Sequence, residues 1–239
     1  MLTGLAAGSK TARHPLLIER PAEHIVIIEV TPNRGLCGSL ISNIHRRVAR
    51  QLADTAGQKS MVAVGRRARD FARRTRTTLL AEFTEIPDGP RLADITPIAR
   101  LVIDGYTAGE MDRVYLAYTK FISTLNQRPV IEQLLPVQPA EADDQQHEQG
   151  PTQTAGFMYE PDEEAVLADL LPRYVEVRLF QSVLESQASE QSARMVSMRN
   201  ATDNANERVD DLTLALNKAR QAGITREIAE IAAGAAALS

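Results

Sequence analysis

The run His24-Ile25-Val26-Ile27-Ile28-Glu29-Val30 is β-branched, apolar and of strand length, the pattern of a strand buried on both faces. It ends at Thr31-Pro32-Asn33-Arg34-Gly35, a turn signal. Leu40, Ile41, Ile44, Val48 and Leu52 then recur at helical spacing. Ser60-Met61-Val62-Ala63-Val64 and Gly65 repeat that grammar, and an Arg-rich helix follows over 66–76. A further helix is predicted over 91–109, interrupted near Pro97, with strands over 113–118 and 129–135. Strands alternating with helices predict an α/β, Rossmann-like, mostly parallel sheet over 24–136. Residues 1–23 mix small, charged and proline positions without a period and read as a lead-in rather than a core element.

Residues 137–160 shift to Pro, Gln, Asp and Glu, which bury little apolar area, so a mobile acidic surface loop is expected there. A long C-terminal helix is assigned to 161–239, because from Arg173 to Leu238 no proline occurs. At about 1.5 Å per residue that stretch would run to about 100 Å and protrude from the domain carrying it. Along it, Leu184, Ala188, Gln191, Met195, Met198, Thr202, Ala205, Val209, Leu212, Leu216, Ala219 and Gly223 fall at alternating steps of four and three. That is the period of a coiled-coil seam, and it requires a partner helix. Ala, Thr, Gln and Gly stand where a strong zipper carries Ile, Val and Leu, so the seam would hold its mate weakly. After Gly223 the row slips to Ile224, Ile228, Ile231, Ala235 and Leu238. The stretch from Ile231 to Leu238 carries no charge and forms a smooth tip.

Composition narrows the function classes. Twenty-seven Lys and Arg against 31 Asp and Glu leave a net charge of −4, which does not fit a globally basic nucleic-acid binder. One cysteine, Cys37, cannot form an internal disulfide; a packed thiol is its plainer reading. The four histidines show no metal-ligand spacing, and Leu36-Cys37-Gly38 has neither G-x-G-x-x-G nor a Gly-Lys-Ser/Thr ending, so no cofactor, metal or nucleotide is assigned. Arg66, Arg67, Arg69, Arg73, Arg74 and Arg76 crowd one short helix, best read as a solvated face, with an acidic lipid or subunit surface as the alternative.

Two segments carry a family likeness. Thr31-Pro32-Asn33-Arg34-Gly35-Leu36-Cys37-Gly38-Ser39-Leu40 resembles the "DRGLCGGLN" segment of the gamma subunit of F-type ATP synthase, with Asn33 for the usual Asp and Ser39 for a Gly. The longer anchor runs from Leu184 to Asn206 and on through Asn217–Ile228 to Gly234–Leu238. The resemblance implies an α/β foot and two terminal helices wound as an antiparallel coiled coil, which enters a ring of three alpha and three beta subunits. This sequence supplies one of the two helices and begins near the end of the family's Lys-rich first helix; a late-assigned start is the expected cause.

The same resemblance implies a non-catalytic rotor that couples proton-driven turning of the c-ring to conformational change in the beta subunits. It implies alpha, beta, epsilon and c-ring partners, no nucleic acid, and a peripheral position on the cytoplasmic face of the bacterial plasma membrane. It places Arg220, Gln221 and Thr225 against a beta-subunit loop, and Tyr174 and Glu176 against the c-ring. Without it, the first three would read as a solvated helix face. Two other readings are a Rossmann-like nucleotide-binding protein with a helical appendage and a generic coiled-coil adaptor.

Overall fold

The computed structural model describes residues 14–138 and 163–237. They divide into two compact units, one ending at Ala193 and one beginning at Arg194.

In the first unit, β1 (His24–Val30), β2 (Gln58–Val64), β3 (Thr78–Phe83), β4 (Arg113–Phe121) and β5 (Gln127–Leu135) form one sheet in the order β3-β2-β1-β4-β5. β1, β2, β3 and β4 run parallel, and β5 returns antiparallel to β4 as a hairpin. The crossovers are α1 (Leu40–Asp54) between β1 and β2, α2 (Arg66–Thr75) between β2 and β3, and α3 (Leu92–Ala108) between β3 and β4. Central β1 is covered on both faces, as its unbroken apolar run requires. Val26, Ile28 and Val30 face the larger core with α3, while Ile27 meets Ile44 and Val48 of α1 and Phe71 of α2.

Loop residues after β1 finish the start of α2. Thr31 Oγ1 accepts from Ala68 N–H at 2.7 Å and Asn33 Oδ1 from Arg66 N–H at 2.8 Å, so two unpaired amides of the first turn are satisfied. Asn33 thus serves the amide through its carbonyl oxygen. Gly65, at φ 101°, makes the entry possible: a Cβ there would lie 2.1 Å from the Thr31 carbonyl oxygen.

Three segments differ from the sequence reading. The lead-in contributes to the core, since Leu16 is fully buried and its carbonyl accepts from Val137 N–H at 2.9 Å. Arg20 adds a hydrogen bond to the Tyr106 carbonyl at 2.8 Å and lies over the Tyr106 ring. α3 runs through Pro97 without interruption. The proline sits in the second turn, where it removes one intrahelical bond, and fully buried Ile95, Ile98 and Ala99 around it hold the helix. β3 was not anticipated at all. The acidic stretch lies outside the described residues apart from Val137 and Gln138, and so do residues 1–13.

The last element, α4, is a single helix over Glu163–Ala237 with Pro172 inside it. Its portion in the first unit lays Leu167, Leu171, Val175, Leu179 and Val183 into the large core. At about 1.5–3 kcal/mol per buried side chain, these five contribute on the order of 10 kcal/mol before ordering costs. An Arg178–Glu132 ion pair joins the same portion to β5.

Candidate functional site

An open parallel sheet offers its usual ligand crevice beyond the carboxyl ends of the strands, where successive crossovers diverge. Here that point lies between β1 and β4: the connection from β1 leads to β2 on one side, and β3 returns to β4 on the other. The chain's own helix occupies it. Along α4, the buried row Leu171, Val175, Leu179 continues as Ser182, Ser186 and Ser189, all at most 3% exposed. Ser189 Oγ donates to the Thr119 carbonyl at 3.1 Å and Ser186 Oγ to the Val30 carbonyl at 3.5 Å, capping the ends of β4 and β1. Gln187 Nε2 donates to the Pro87 carbonyl at 2.9 Å, and its Oε1 accepts from Gly89 N–H at 3.3 Å. Small hydroxylated side chains let the helix approach closely while still meeting strand-end carbonyls. A nucleotide would have to displace this helix turn, which removes the geometric basis for a Rossmann-type cofactor site.

Tyr174 and Glu176 lie on this first portion of α4 and are both half-buried. Tyr174 packs against the large core, so part of its ring is already used in folding. Two residues apart on a helix, they point about 200° from one another. Burial raises the Tyr118 hydroxyl far above its ordinary value, and the neighbouring Glu132 carboxylate, 3.3 Å away, adds to that. Cys37 is buried, in keeping with a packed thiol.

The second unit is helix alone, and from Met198 to Gly234 every residue is exposed. Met195, Val209, Leu212, Leu216, Ile228 and Ile231 each expose more than half of their surface, Leu216 reaching 68% and Ile231 72%. They fall on the seam and its slipped continuation. A row of large apolar side chains at heptad spacing, left in water, is a surface made to be covered. Arg220, Gln221 and Thr225 are exposed too, Gln221 and Thr225 four residues apart on one face and Arg220 about 100° around the helix from Gln221. Leu238 falls outside the described residues.

Sequence reasoning missed the serine row. Its signal was there, since Ser182, Ser186 and Ser189 extend the spacing of Leu171, Val175 and Leu179, but a hydroxyl does not register in a search for apolar periodicity.

Among the described residues no helix is long and apolar enough to cross a membrane. A family model described as ATP synthase matches residues 1–238. The ATP synthase gamma chain of Roseiflexus castenholzii is 51% identical over 242 residues, covering 100% of this chain and 80% of the relative. That of Dehalococcoides mccartyi is 49% identical over 226 residues, covering 95% and 77%. Among solved structures, a chain of the Euglena gracilis mitochondrial ATP synthase in its OSCP/F1/c-ring assembly superposes with a TM-score of 0.66 at 19% identity, covering 98% of this chain and 82% of that one. One from the central stalk and c-ring of the Tetrahymena thermophila mitochondrial enzyme gives 0.59 at 23% identity, covering 83% and 91%. These two likenesses speak for the fold, whereas the family model and the close relatives settle membership: the chain belongs to the ATP synthase gamma-chain family.

Proposed function

We propose that the chain works as the central shaft of a rotary ATP synthase, carrying proton-driven turning of a c-ring to the catalytic beta subunits of an alpha3-beta3 collar, with no active site of its own. The observation carrying this reading is the exposed apolar row from Met195 to Ile231, on a helix whose every residue is exposed from Met198 to Gly234. Such a row fits a second, antiparallel helix along the seam and a surrounding sleeve. The coupling physics is differential contact: an asymmetric shaft at different angles favours different conformations of each beta subunit, and a tenfold change in nucleotide affinity needs a contact difference of about 1.4 kcal/mol. A smooth, uncharged tip would avoid pinning any one angle.

In this reading Arg220, Gln221 and Thr225 meet a beta-subunit loop, two through hydrogen bonds and Arg220 through its charge. Tyr174 and Glu176 meet the polar loops of the c-ring, and an epsilon subunit joins the foot. The α/β domain of 24–136 is that foot and 161–239 supplies the shaft. The assembly would hold the chain as a peripheral membrane protein on the cytoplasmic face of a bacterial plasma membrane. The test is a Thr225→Cys variant assembled with alpha and beta subunits, with a cysteine placed in the facing beta loop. Oxidation should stop ATP hydrolysis and reduction restore it. Undiminished turnover with the bridge formed would reject rotation of this segment against beta.

A further inference from the structure

The helices on the two faces of the sheet carry opposite charge. α1 and α2 cover one face side by side, joined by His45 of α1 stacked flat on Phe71 of α2 with ring centroids 4.4 Å apart. With the α2 C-cap Arg76 they hold nine arginines against Asp54 and Asp70, which leaves +7. On the opposite face, α3 and residues 163–193 of α4 hold three arginines against eight acidic residues, which leaves −5. In a chain of net charge −4 this is a separation of charge across one domain. Beneath the basic helices Glu29 is fully buried, 2.8 Å from His45 Nδ1. Burial raises its carboxyl above the ordinary range, so it takes little from the charge outside.

α1 exposes Arg46, Arg47 and Arg50, turned away from its buried Leu40, Ile44 and Val48. α2 and its C-cap expose Arg66, Arg67, Arg73, Arg74 and Arg76, turned away from buried Ala68, Phe71 and Ala72. Arg69 pairs with Asp70 at 2.9 Å and Arg73 with Glu82 at 3.4 Å, whereas the other seven arginines form no ion pair among the described residues. Neither helix contains a lysine, and the guanidinium fork is the cation whose geometry matches phosphate oxygens.

Three features narrow the partner. Neither helix exposes a large apolar side chain, so the face lacks the anchors on which a protein interface centres and with which an amphipathic helix enters a bilayer. Its only aromatic rings, His45 and Phe71, are buried, so nothing is offered for bases to stack on. The charge is spread over helices of 15 and 10 residues, about 22 and 15 Å long, which is too broad for one small anion. A broad cationic face backed by an acidic one fits a plane of phosphates. We propose that the α1–α2 face rests on the headgroups of an anionic lipid bilayer, held by its arginines without insertion. The proposal is independent of the shaft reading, since both helices lie in the first unit.

The test is co-sedimentation of the full chain with phosphatidylcholine vesicles containing about one-third phosphatidylglycerol, and with phosphatidylcholine alone. Sodium chloride is raised from about 50 mM to about 500 mM, which shortens the screening length from about 14 Å to about 4 Å. The partition coefficient should be at least about tenfold higher on the anionic vesicles, and high salt should remove that preference. The variant Arg46→Gln, Arg50→Gln, Arg66→Gln, Arg74→Gln, altered only at exposed side chains, should lower partitioning at least about tenfold. The variant Arg100→Gln, Arg128→Gln, Arg199→Gln, Arg226→Gln makes the same change of net charge at exposed positions elsewhere and should lower it less than about threefold. Equal losses in the two variants would reduce the effect to net charge and overturn the proposal. So would equal binding to phosphatidylcholine alone, or binding that survives high salt, either of which would trace to the exposed apolar seam. Binding of double-stranded RNA or polyglutamate that depends on the four arginines, with no response to anionic vesicles, would give the face to another partner and overturn it as well.

Discussion

Two leucines on α4 should fail in opposite ways when cut to alanine. Leu171 is 1% exposed within the large core, whereas Leu212 is 69% exposed on the seam. Leu171→Ala removes buried methyl and methylene groups and leaves a cavity, at a cost of about 2–5 kcal/mol. With a urea m-value of about 2 kcal/mol/M, the unfolding midpoint of the isolated chain should fall by about 1–2.5 M. Leu212→Ala removes nothing from a core and installs the best helix former, so its effect should stay within about 0.5 kcal/mol. Tyrosine fluorescence suits the measurement, because the chain has no Trp and Tyr106, Tyr115 and Tyr118 all lie in the sheet unit. In a complex assembled with alpha and beta subunits the ranking should invert: Leu212→Ala should weaken assembly or coupling while the foot remains folded. If Leu212→Ala lowered the isolated chain's midpoint as far as Leu171→Ala does, the seam would already be covered within one chain, and the shaft reading would lose its main support.

Gly65→Ala should destabilise by more than about 3 kcal/mol, read as a drop in thermal midpoint, since its Cβ would collide with a backbone oxygen 2.1 Å away at a left-handed φ; a drop below 2 °C would contradict the geometry. Ser189→Leu should cost about 1–3 kcal/mol by forcing α4 off the end of β4, where Ser189 is fully buried, and hydrogen exchange at β4 amides should quicken; unchanged exchange would mean the helix tolerates bulk there. Glu29 carries a folded-state pKa raised above the ordinary 4.5, so its contribution is complete below that pH and is lost as pH climbs through the raised value. The wild type should therefore lose stability relative to Glu29→Gln as pH rises from about 4.5, seen as diverging urea midpoints. Parallel profiles would refute the upward displacement of the Glu29 carboxyl.

The sequence made the central fold legible where burial and period agree. β1 matches its apolar run residue for residue, because a strand covered on both faces cannot hide among polar neighbours. β3 stayed invisible for the converse reason. It is an edge strand whose residues alternate between exposed and half-buried, and Thr-Leu-Leu-Ala-Glu-Phe is as good a helix sequence as a strand. Leu16 gave no warning either, since a single buried residue in a proline-bounded segment has no period to reveal it. Along α4 the seam could be read from its spacing, yet the nearer buried face changes from Leu and Val to Ser, and only the fold shows that Ser186 and Ser189 meet strand carbonyls. The buried Glu29–His45 pair was out of reach for a third reason: a polar residue inside an apolar strand run has no period to announce its partner, which comes from α1.

The serine row over the strand ends also has a consequence for engineering. An architecture elsewhere used as a receptacle has here become a mount, its cup already filled by the stem it carries. Grafting a glycine-rich loop onto the turn after β1 would therefore not create a dinucleotide binder unless Ser186 and Ser189 were also evicted. Loosening that plug would disturb the shaft's own seating before it admitted any guest.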